Sequence, residues 1–510
     1  MAPPALLTLA TTVCLAVACA LAAPTPSGKI VGFADTHLHM VAEYGFGGHF
    51  FWGSHNGTLD EMNQPCDGTT SHGWPFDMYG ESVTTRVTQC SEDEQVTHPK
   101  FTHGAPDFKD WPRWNSPSHH QAHTTHMKAA WEGGMRLAFI TAMTDTLMCN
   151  IAEVLKLKLP PNREPQTCDV TRALETQVEA IKLWASQNSE WAEVAMTAAD
   201  ARRIASQGRL ALVIAVEASY ALGFEKDWRP QLARYHAMGV RQITFIHLWD
   251  NQFGGPAYNG KTMEYANLLE WLRDLVAHPF RAPQPDIPCL SSWLARLKRF
   301  AAWFHNDEHT SRTPRPQTDS DGFNKLGLTD EGKAVVQWLM DHGMFVDVSH
   351  MSRRALNDTY AISVANGYYP LMMTHGFALD AYPQMPYQEW ASPVYVLEMI
   401  LRTGGTFGVR VEPAAFRTYA HSNVTNNCYG STRSLAQEVA LLTDLGFAPA
   451  FGSDFNGWAI QNLPRYGKAD ETCASHVLLY CFDDPYTGTK KNPKLCPLAT
   501  TTMQAQQAQQ

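Results

Sequence analysis

The chain has 510 residues, enough for a large core in two or three domains or in one barrel with long insertions. Its net charge is −10 at pH 7, only 18% of its residues are charged, and no basic patch stands out, which argues against a nucleic-acid partner. The 15 tryptophans and the 11% aromatic content argue against general disorder and favour a rigid globular enzyme.

Residues 6–21 form an apolar stretch that runs into the small residues Ala22 and Ala23. This pattern is typical of a secretory signal peptide with a small-residue cleavage site. The stretch is short for a bilayer span, so a membrane anchor is the weaker alternative. We therefore predict a signal peptide over residues 1–22, a secreted or extracytoplasmic protein, and no transmembrane span after signal removal.

The chain contains 11 cysteines, two of which lie in the predicted signal peptide. An exported protein is expected to form disulfides, and the odd number that remains leaves at least one thiol unpaired within the chain. Two local pairs each flank a loop, Cys66 with Cys90 and Cys149 with Cys168, although sequence alone does not settle the pairing. Glycan acceptor sequons, usable in a eukaryotic secretory path, begin at Asn56, Asn357 and Asn423.

Apolar runs of strand length alternate with helical patterns along the chain. The eight strand candidates are residues 29–34, 135–141, 210–217, 240–247, 344–349, 370–374, 406–411 and 448–452. The clearest helical patterns cover residues 171–187, 198–206, 229–236, 329–341 and 435–445. Continuous apolar runs are typical of parallel strands buried on both faces, so the alternation predicts a (β/α)8 TIM barrel, which we place at residues 29–465.

Two stretches, residues 41–134 and 254–327, are too long to be simple connections between a strand and a helix. Both follow strand ends, so we expect both insertions on the catalytic face as lids or binding loops. Residues 466–510 form a C-terminal extension, whose glutamine-rich end is predicted to be disordered.

Polar side chains of the metal-ligand or acid-base type stand at the ends of five strand-like segments. They are His37 and His39, Glu217, His350, His375 and Asp454. The carboxyl ends of barrel strands form the active-site face, so we expect these side chains to converge. Each one alone is more often structural: a hydrogen-bonded histidine, a salt-bridged core glutamate or an Asx-turn aspartate. Together they predict a two-metal hydrolase centre, with a central glutamate as bridge and Asp454 as proton acceptor.

The segments around these residues resemble the membrane (renal) dipeptidase family of the amidohydrolase superfamily. The similar motifs are Val346-Asp-Val-Ser-His-Met-Ser352, Gly327-Leu-Thr-Asp-Glu-Gly332, Gly452-Ser-Asp-Phe-Asn-Gly457, and Thr244-Phe-Ile-His247 with Asn251. The resemblance covers residues 29–457, interrupted by the two insertions. Each motif alone is a weak signal, whereas the set is specific.

The resemblance implies a role for each residue of the predicted centre. It implies two Zn²⁺ ions held by His37, His39, Glu217, His350 and His375, with Glu217 bridging them. By the same resemblance, Asp454 handles the proton of the attacking water, and His247 stabilises the carbonyl oxygen as it becomes an oxyanion. Asn251 lies in the same substrate-contacting segment. The expected partner is a dipeptide or another small-molecule substrate, and self-association into a homodimer is left open.

The chain departs from the family pattern at two places. The first strand carries His-x-His, where typical members carry His-x-Asp. Residues 376–390 contain no arginine or lysine, although family members place there an arginine that holds the substrate carboxylate. Arg410, near the end of the seventh strand candidate, is the substitute that we predict. A metal-dependent dipeptidase is therefore favoured, with two alternatives: a related hydrolase of another amide or a lactone, and a non-catalytic binding protein on the same scaffold.

A second group of histidines, His119, His120, His123 and His126, suggests an additional metal site. Three of them share one face if the segment is helical. The interpretation we favour is a polar helix near the mouth of the barrel.

Overall fold

The computed structural model describes residues 30–51, 53–58, 120–154, 159, 163–223, 227–258, 317–381, 388–411, 418–426, 430–456, 462, 465–466 and 472–473. The predicted signal peptide, Cys66, Cys90, His119 and most of the two insertions and the C-terminal extension lie outside these residues.

Several helices of the described residues begin where a polar side chain satisfies one of the first free backbone N–H groups. In order, α1 to α9 are Thr124–Glu132, Thr146–Val154, Val170–Gln187, Ala198–Ser206, Arg229–Met238, Asp330–Asp341, Arg353–Ala365, Val394–Arg402 and Thr432–Asp444. Asp169, Thr197, Thr329 and Ser352 each accept a hydrogen bond from the backbone N–H three residues on, which fixes the starts of α3, α4, α6 and α7.

Twelve strands occur among the same residues. In order, β1 to β12 are Phe33–Leu38, Met135–Met143, Ala192–Val194, Leu210–Glu217, Val240–Thr244, Val346–Asp347, Leu371–Ala378, Ala391–Ser392, Thr406–Val409, Ala450–Phe451, Arg465–Tyr466 and Thr472–Cys473. The last two form an antiparallel pair of their own. All other pairings are parallel.

Eight of these strands close into a ring. Their hydrogen-bonded order is β5, β4, β2, β1, β10, β9, β7 and β6. A parallel bridge between Gln242 of β5 and Phe345, the residue before β6, joins the two ends. The predicted (β/α)8 barrel is therefore confirmed, and β3 and β8 are short additions that pair with β4 and β7.

The core lies between the barrel and its outer helices. The inward face of α3 carries Leu174, Val178, Ile181 and Trp184, all of them fully buried. Burial of each such side chain contributes about 1.5–3 kcal/mol. The disulfide between Cys149 and Cys168 ties α2 to the segment before α3, as the local pairing predicted. No helix among the described residues is long and apolar enough to cross a membrane.

The strand prediction was wrong in position at the first strand. The predicted run, residues 29–34, is largely outside the sheet, and Val31 is 82% exposed. The barrel strand lies four residues later, from Phe33 to Leu38, and its buried positions include the polar residues Asp35 and His37. A strand is located in the sequence by its apolar run, and buried polar residues interrupt that run. The predicted position is therefore displaced where the strand supplies polar residues to a site. Strand β4, which is apolar up to its final residue Glu217, has the predicted bounds.

Candidate metal centre

Six predicted side chains meet at the carboxyl end of the barrel. His37, Glu217 and His375 belong to β1, β4 and β7, while His39, His350 and Asp454 follow β1, β6 and β10. All are buried except His350, whose side chain is 21% exposed. His350 and Asp454 have left-handed backbones, with φ of 63° and 54°. Such conformations cost on the order of 1–3 kcal/mol for a residue with a side chain and are concentrated at functional sites.

Glu217 occupies the middle of this group. Its Oε2 lies 3.2 Å from His37 Nε2 and 3.5 Å from His39 Nε2. Its Oε1 lies 3.5 Å from His350 Nε2 and 3.9 Å from His375 Nε2. Among the described residues Oε1 is buried without a hydrogen-bond partner. The two oxygens of one carboxylate thus face two different pairs of imidazoles.

The nitrogens of each histidine pair face each other at distances somewhat shorter than those between two ligands of one tetrahedral ion. His37 Nε2 and His39 Nε2 are 3.1 Å apart, and His350 Nε2 and His375 Nε2 are 2.7 Å apart. Two nitrogen ligands at about 2.0–2.1 Å from a tetrahedral zinc ion lie about 3.3–3.4 Å from each other. At this centre, three groups of donor atoms among the described residues could each hold a cation: His37 with Glu217 and His375, His37 with His39 and Asp454, and Glu217 with His247 and His350.

The tautomer of His39 also suits a metal ligand. Its Nδ1 lies 2.9 Å from the carbonyl oxygen of Thr141. A carbonyl oxygen only accepts, so Nδ1 carries the hydrogen and Nε2 keeps its lone pair. That lone pair is on the atom that faces His37 and Asp454. Metal-binding histidines commonly donate their second nitrogen to a carbonyl or carboxylate in this way.

The local charges favour a cation between the carboxylates. Burial works against the charged imidazole, but Glu217 and then Asp454 raise the pKa of His37 to about 9. The same attraction favours a metal cation near this nitrogen. On the other side, burial and the neighbouring His247 lower the pKa of His350 to about 3, so this imidazole is neutral and able to ligate.

Asp454 links the centre to Arg410. Asp454 Oδ1 lies 3.2 Å from His39 Nε2, while Oδ2 accepts a hydrogen bond from Arg410 Nη2 at 2.7 Å. The backbone of this turn approaches β7 closely, and a Cβ at Gly452 would lie 2.3 Å from Thr374 O. Glycine is therefore required there. The contact between Arg410 and Asp454 was not anticipated from the sequence, because it joins the ends of two different strands.

The two predicted substrate contacts of the β5 segment differ in their placement. His247 Nε2 lies 3.7 Å from Glu217 Oε2, and its Nδ1 is buried without a hydrogen-bond partner among the described residues. Asn251 instead supports its own loop. Its amide donates to the carbonyls of Ser219 and Phe245 and accepts from the N–H groups of Phe253 and Gly254. Its substrate-binding role stays a prediction.

A buried charge cluster beside the centre was missed in the sequence. Glu43, in the loop after β1, accepts from His55 through Oε1 and from His120 through Oε2, the latter at 3.0 Å. We call these three residues the Glu43 clasp. They lie near the beginning and the end of the first insertion. The residue after His120, Gln121, donates its backbone N–H to Asn456 Oδ1, and the Asn456 amide donates to His39 O. The clasp is therefore connected to the backbone of a predicted ligand.

The predicted polar helix occupies only part of this segment, since α1 contains His126 but not the clasp residue His120. Helix α1 begins only at Thr124, so His120 precedes it, and His123 caps it by accepting from Thr125 N–H. Histidines were assigned to this helix because their spacing fits one face. Among the described residues, none of these histidines belongs to a group of donor atoms close enough to hold a metal.

One family profile matches more than half of the chain. A profile described as membrane dipeptidase, peptidase family M19, matches residues 108–274 and 289–436. No curated protein matches the chain.

Several solved structures are similar to the chain at low identity. A metallopeptidase from Rhodobacter sphaeroides, liganded with a phosphinate mimic of the dipeptide L-Ala-D-Ala, is 16% identical with a TM-score of 0.40, over 74% of this chain and 83% of that one. The metallopeptidase dipeptidase AC, of family M19, is 16% identical with a TM-score of 0.39, over 65% and 75%. The probable dipeptidase PvdM from Pseudomonas aeruginosa is 18% identical with a TM-score of 0.36, over 75% and 72%.

The Glu43 clasp leads to a pH-dependent prediction. Burial opposes the charge, but His55 and His120 hold the pKa of Glu43 well below its usual value of 4.5. A lowered pKa contributes stability above the unfolded-state pKa, and this contribution is lost as the pH falls towards the folded-state pKa. Glu43→Gln should therefore lower the free energy of unfolding by about 2 kcal/mol at pH 7 and by less at pH 3. Urea unfolding at both pH values measures the difference.

Glu179→Gln is the control for this measurement, because Glu179 is exposed and makes only a surface pair with Lys182. It should change the free energy of unfolding little at either pH. A Glu43→Gln effect that is absent, or that is the same at pH 3 and pH 7, would show that the clasp does not depend on the carboxylate charge.

Proposed function

The chain belongs to the membrane dipeptidase family, peptidase family M19, and we propose that it is a secreted dipeptidase with two zinc ions bridged by Glu217. The observation that carries the two-zinc part is the position of the Glu217 carboxylate, with Oε2 towards His37 and His39 and Oε1 towards His350 and His375. Family membership supports the metal dependence. Secretion rests on the apolar segment at residues 6–21.

The five predicted ligands would hold the two ions as two histidine pairs that share one carboxylate. His37 and His39 would serve one ion, His350 and His375 the other. Bound zinc ions would supply Lewis acidity, which makes water a nucleophile near neutral pH and polarises the scissile carbonyl. The buried imidazoles and the unpartnered Glu217 Oε1 support this assignment. At the end of the first strand, His39 offers a nitrogen donor where family members typically have an aspartate. The loss of this carboxylate makes the charge of the site more positive.

Asp454 is the residue that we assign to proton transfer. Its Oδ1 faces the nitrogens of His37 and His39, while its Oδ2 accepts a hydrogen bond from Arg410. Burial opposes ionisation, but Arg410 and the nearby histidines lower the pKa of Asp454, so the group is an ionised acceptor at neutral pH. It would take a proton from the attacking water and give it to the leaving amino group, which balances the hydrolysis of one peptide bond.

His247 and Arg410 are the residues that we assign to the substrate. His247 is 17% exposed and lies against the centre, where an imidazole can stabilise the developing oxyanion. Arg410 is 20% exposed, and a guanidinium suits the carboxylate of a dipeptide. Since residues 376–390 contain no arginine or lysine, hydrolysis of another amide or a lactone remains the second candidate. We also keep Asn251 as a predicted substrate-binding residue, and its side chain holds the loop in which it lies.

The bridging role of Glu217 predicts the metal content of a variant. Glu217→Ala should abolish dipeptide hydrolysis and lower the zinc content below two ions per chain, because both ions lose a shared ligand. Elemental analysis after dialysis measures the content, and Glu179→Ala, an exposed change of equal charge, is the control. Trace metal in the active wild type, or two ions in Glu217→Ala, would contradict the assignment.

The assignment of Asp454 predicts a separation of metal binding from turnover. Asp454→Asn should retain both ions while kcat falls on the order of a hundredfold or more, because the amide cannot accept the proton. Asp444→Asn, at the exposed end of α9, serves as the matched control. Near-native turnover with Asp454→Asn would remove this residue from the mechanism.

The position of Arg410 predicts which substrates depend on it. If Arg410 binds the substrate carboxylate, Arg410→Ala should raise KM sharply for dipeptides and spare KM for C-terminally amidated analogues. Its contact with Asp454 should add a fall in kcat that is common to both substrate classes. Steady-state kinetics with matched free and amidated dipeptides give the two constants separately. Equal changes of KM for both classes would mean that Arg410 only positions Asp454.

A further inference from the structure

Asp347 and Thr374 form a buried hydrogen-bonded pair behind the metal centre, which we call the Asp347–Thr374 relay. We propose that this relay fixes His375 in the tautomer that can bind a metal ion. The inference rests on the proposed two-zinc function and assigns a positioning role to two residues outside the ligand set. Both side chains are buried in the barrel interior, with 1% and 0% exposure.

Asp347 is the anchor of the relay. Its Oδ1 accepts from the N–H groups of Ser349 at 3.0 Å and Thr374 at 3.2 Å. Its Oδ2 accepts from Gln242 Nε2 at 2.9 Å, Thr244 Oγ1 at 2.7 Å and Thr374 Oγ1 at 2.8 Å. Five donors, from β5, from β7 and from the residue Ser349 after β6, therefore converge on one carboxylate. Because a carboxylate accepts more strongly than a neutral imidazole, the hydroxyl hydrogen of Thr374 is directed at Asp347.

The direction of this bond determines the next one. Thr374 has a single hydroxyl hydrogen, so once it is donated to Asp347 the oxygen can only accept. His375 Nδ1 lies 3.0 Å from that oxygen and must therefore carry a hydrogen. Its Nε2 then keeps the lone pair, on the atom that lies 2.7 Å from His350 Nε2 and faces Glu217. A reversed hydroxyl would place the hydrogen on Nε2 and block ligation.

The relay acts less directly on the other histidine pair. His37 Nδ1 is 3.4 Å from Thr374 Oγ1, at the limit of hydrogen-bond distance. The remaining lone pair of Thr374 faces Ser349 Oγ at 3.1 Å, which itself accepts from Thr374 N–H. The His37 and His375 rings stack with centroids 3.8 Å apart, so a turned His375 also disturbs His37. We expect the ion held by His350 and His375 to depend more on the relay.

The test compares zinc binding of the wild type with Thr374→Val, Thr374→Ser and a control, Thr359→Val. Thr359 is also fully buried, but its hydroxyl donates to Ala355 O within its own helix. Chelator competition gives both zinc affinities, and the visible spectrum of the Co²⁺ form reports the ligand sphere. Thr374→Val should weaken one ion about 10- to 100-fold and change the spectrum. Thr374→Ser should restore both, and Thr359→Val should leave both unchanged.

The outcomes separate the relay from the function on which it rests. A wild type with fewer than two zinc ions contradicts the proposed function and the relay together. A two-zinc wild type with unchanged affinities and an unchanged Co²⁺ spectrum in Thr374→Val overturns the relay alone.

A second measurement needs no variant to fold. Neutron diffraction of the wild type should place deuterium on His375 Nδ1 and on Thr374 Oγ1 towards Asp347. Deuterium on Nε2 of His375 would overturn the relay.

Discussion

The buried negative charge of Glu217 needs compensation, and the side chains at the carboxyl end of the barrel are arranged around it. Glu217 ends a strand whose eight residues are all buried, and its carboxylate is only 2% exposed. A buried carboxylate is costly unless cations or hydrogen bonds compensate it. Five imidazole nitrogens lie 3.2 to 3.9 Å from its oxygens. Burial opposes ionisation, but the compensating charge of these histidines, His37 above all, holds the pKa of Glu217 well below its usual value. A buried carboxylate surrounded by imidazoles therefore favours the binding of a cation at this site.

The closed sheet explains how residues so distant in sequence meet. His37, Glu217 and His375 belong to three strands of one ring, and parallel strands bring their carboxyl ends to the same edge. Each residue is then oriented from behind: His39 by Thr141, His375 by Thr374, and Asp454 by Arg410. Thr141 and Arg410 belong to neighbouring strand segments, whereas Thr374 precedes His375 on β7 itself. The supports of His39 and Asp454 therefore depend on the closure of the barrel. The left-handed backbones of His350 and Asp454 persist because the surrounding contacts hold them.

Much of this arrangement follows from sequence patterns. Continuous apolar runs located the barrel, with the bounds of β4 matched at both ends, and polar residues at strand ends identified the side chains that converge. Prediction failed where polar residues are themselves buried. The first strand was placed too early because Asp35 and His37 interrupt its apolar pattern, and the Glu43 clasp joins segments more than 60 residues apart. Local periodicity carries no information on such contacts, nor on the pairing of Arg410 with Asp454.

The central claim is that the Glu217 carboxylate bridges two metal ions, and anomalous X-ray diffraction at the zinc edge tests it most directly. Crystals of the zinc-loaded protein should show two anomalous peaks of similar height. One is predicted between His37 and His39 and the other between His350 and His375, each next to a different oxygen of Glu217. A single peak, or two peaks that do not share Glu217, would contradict the account.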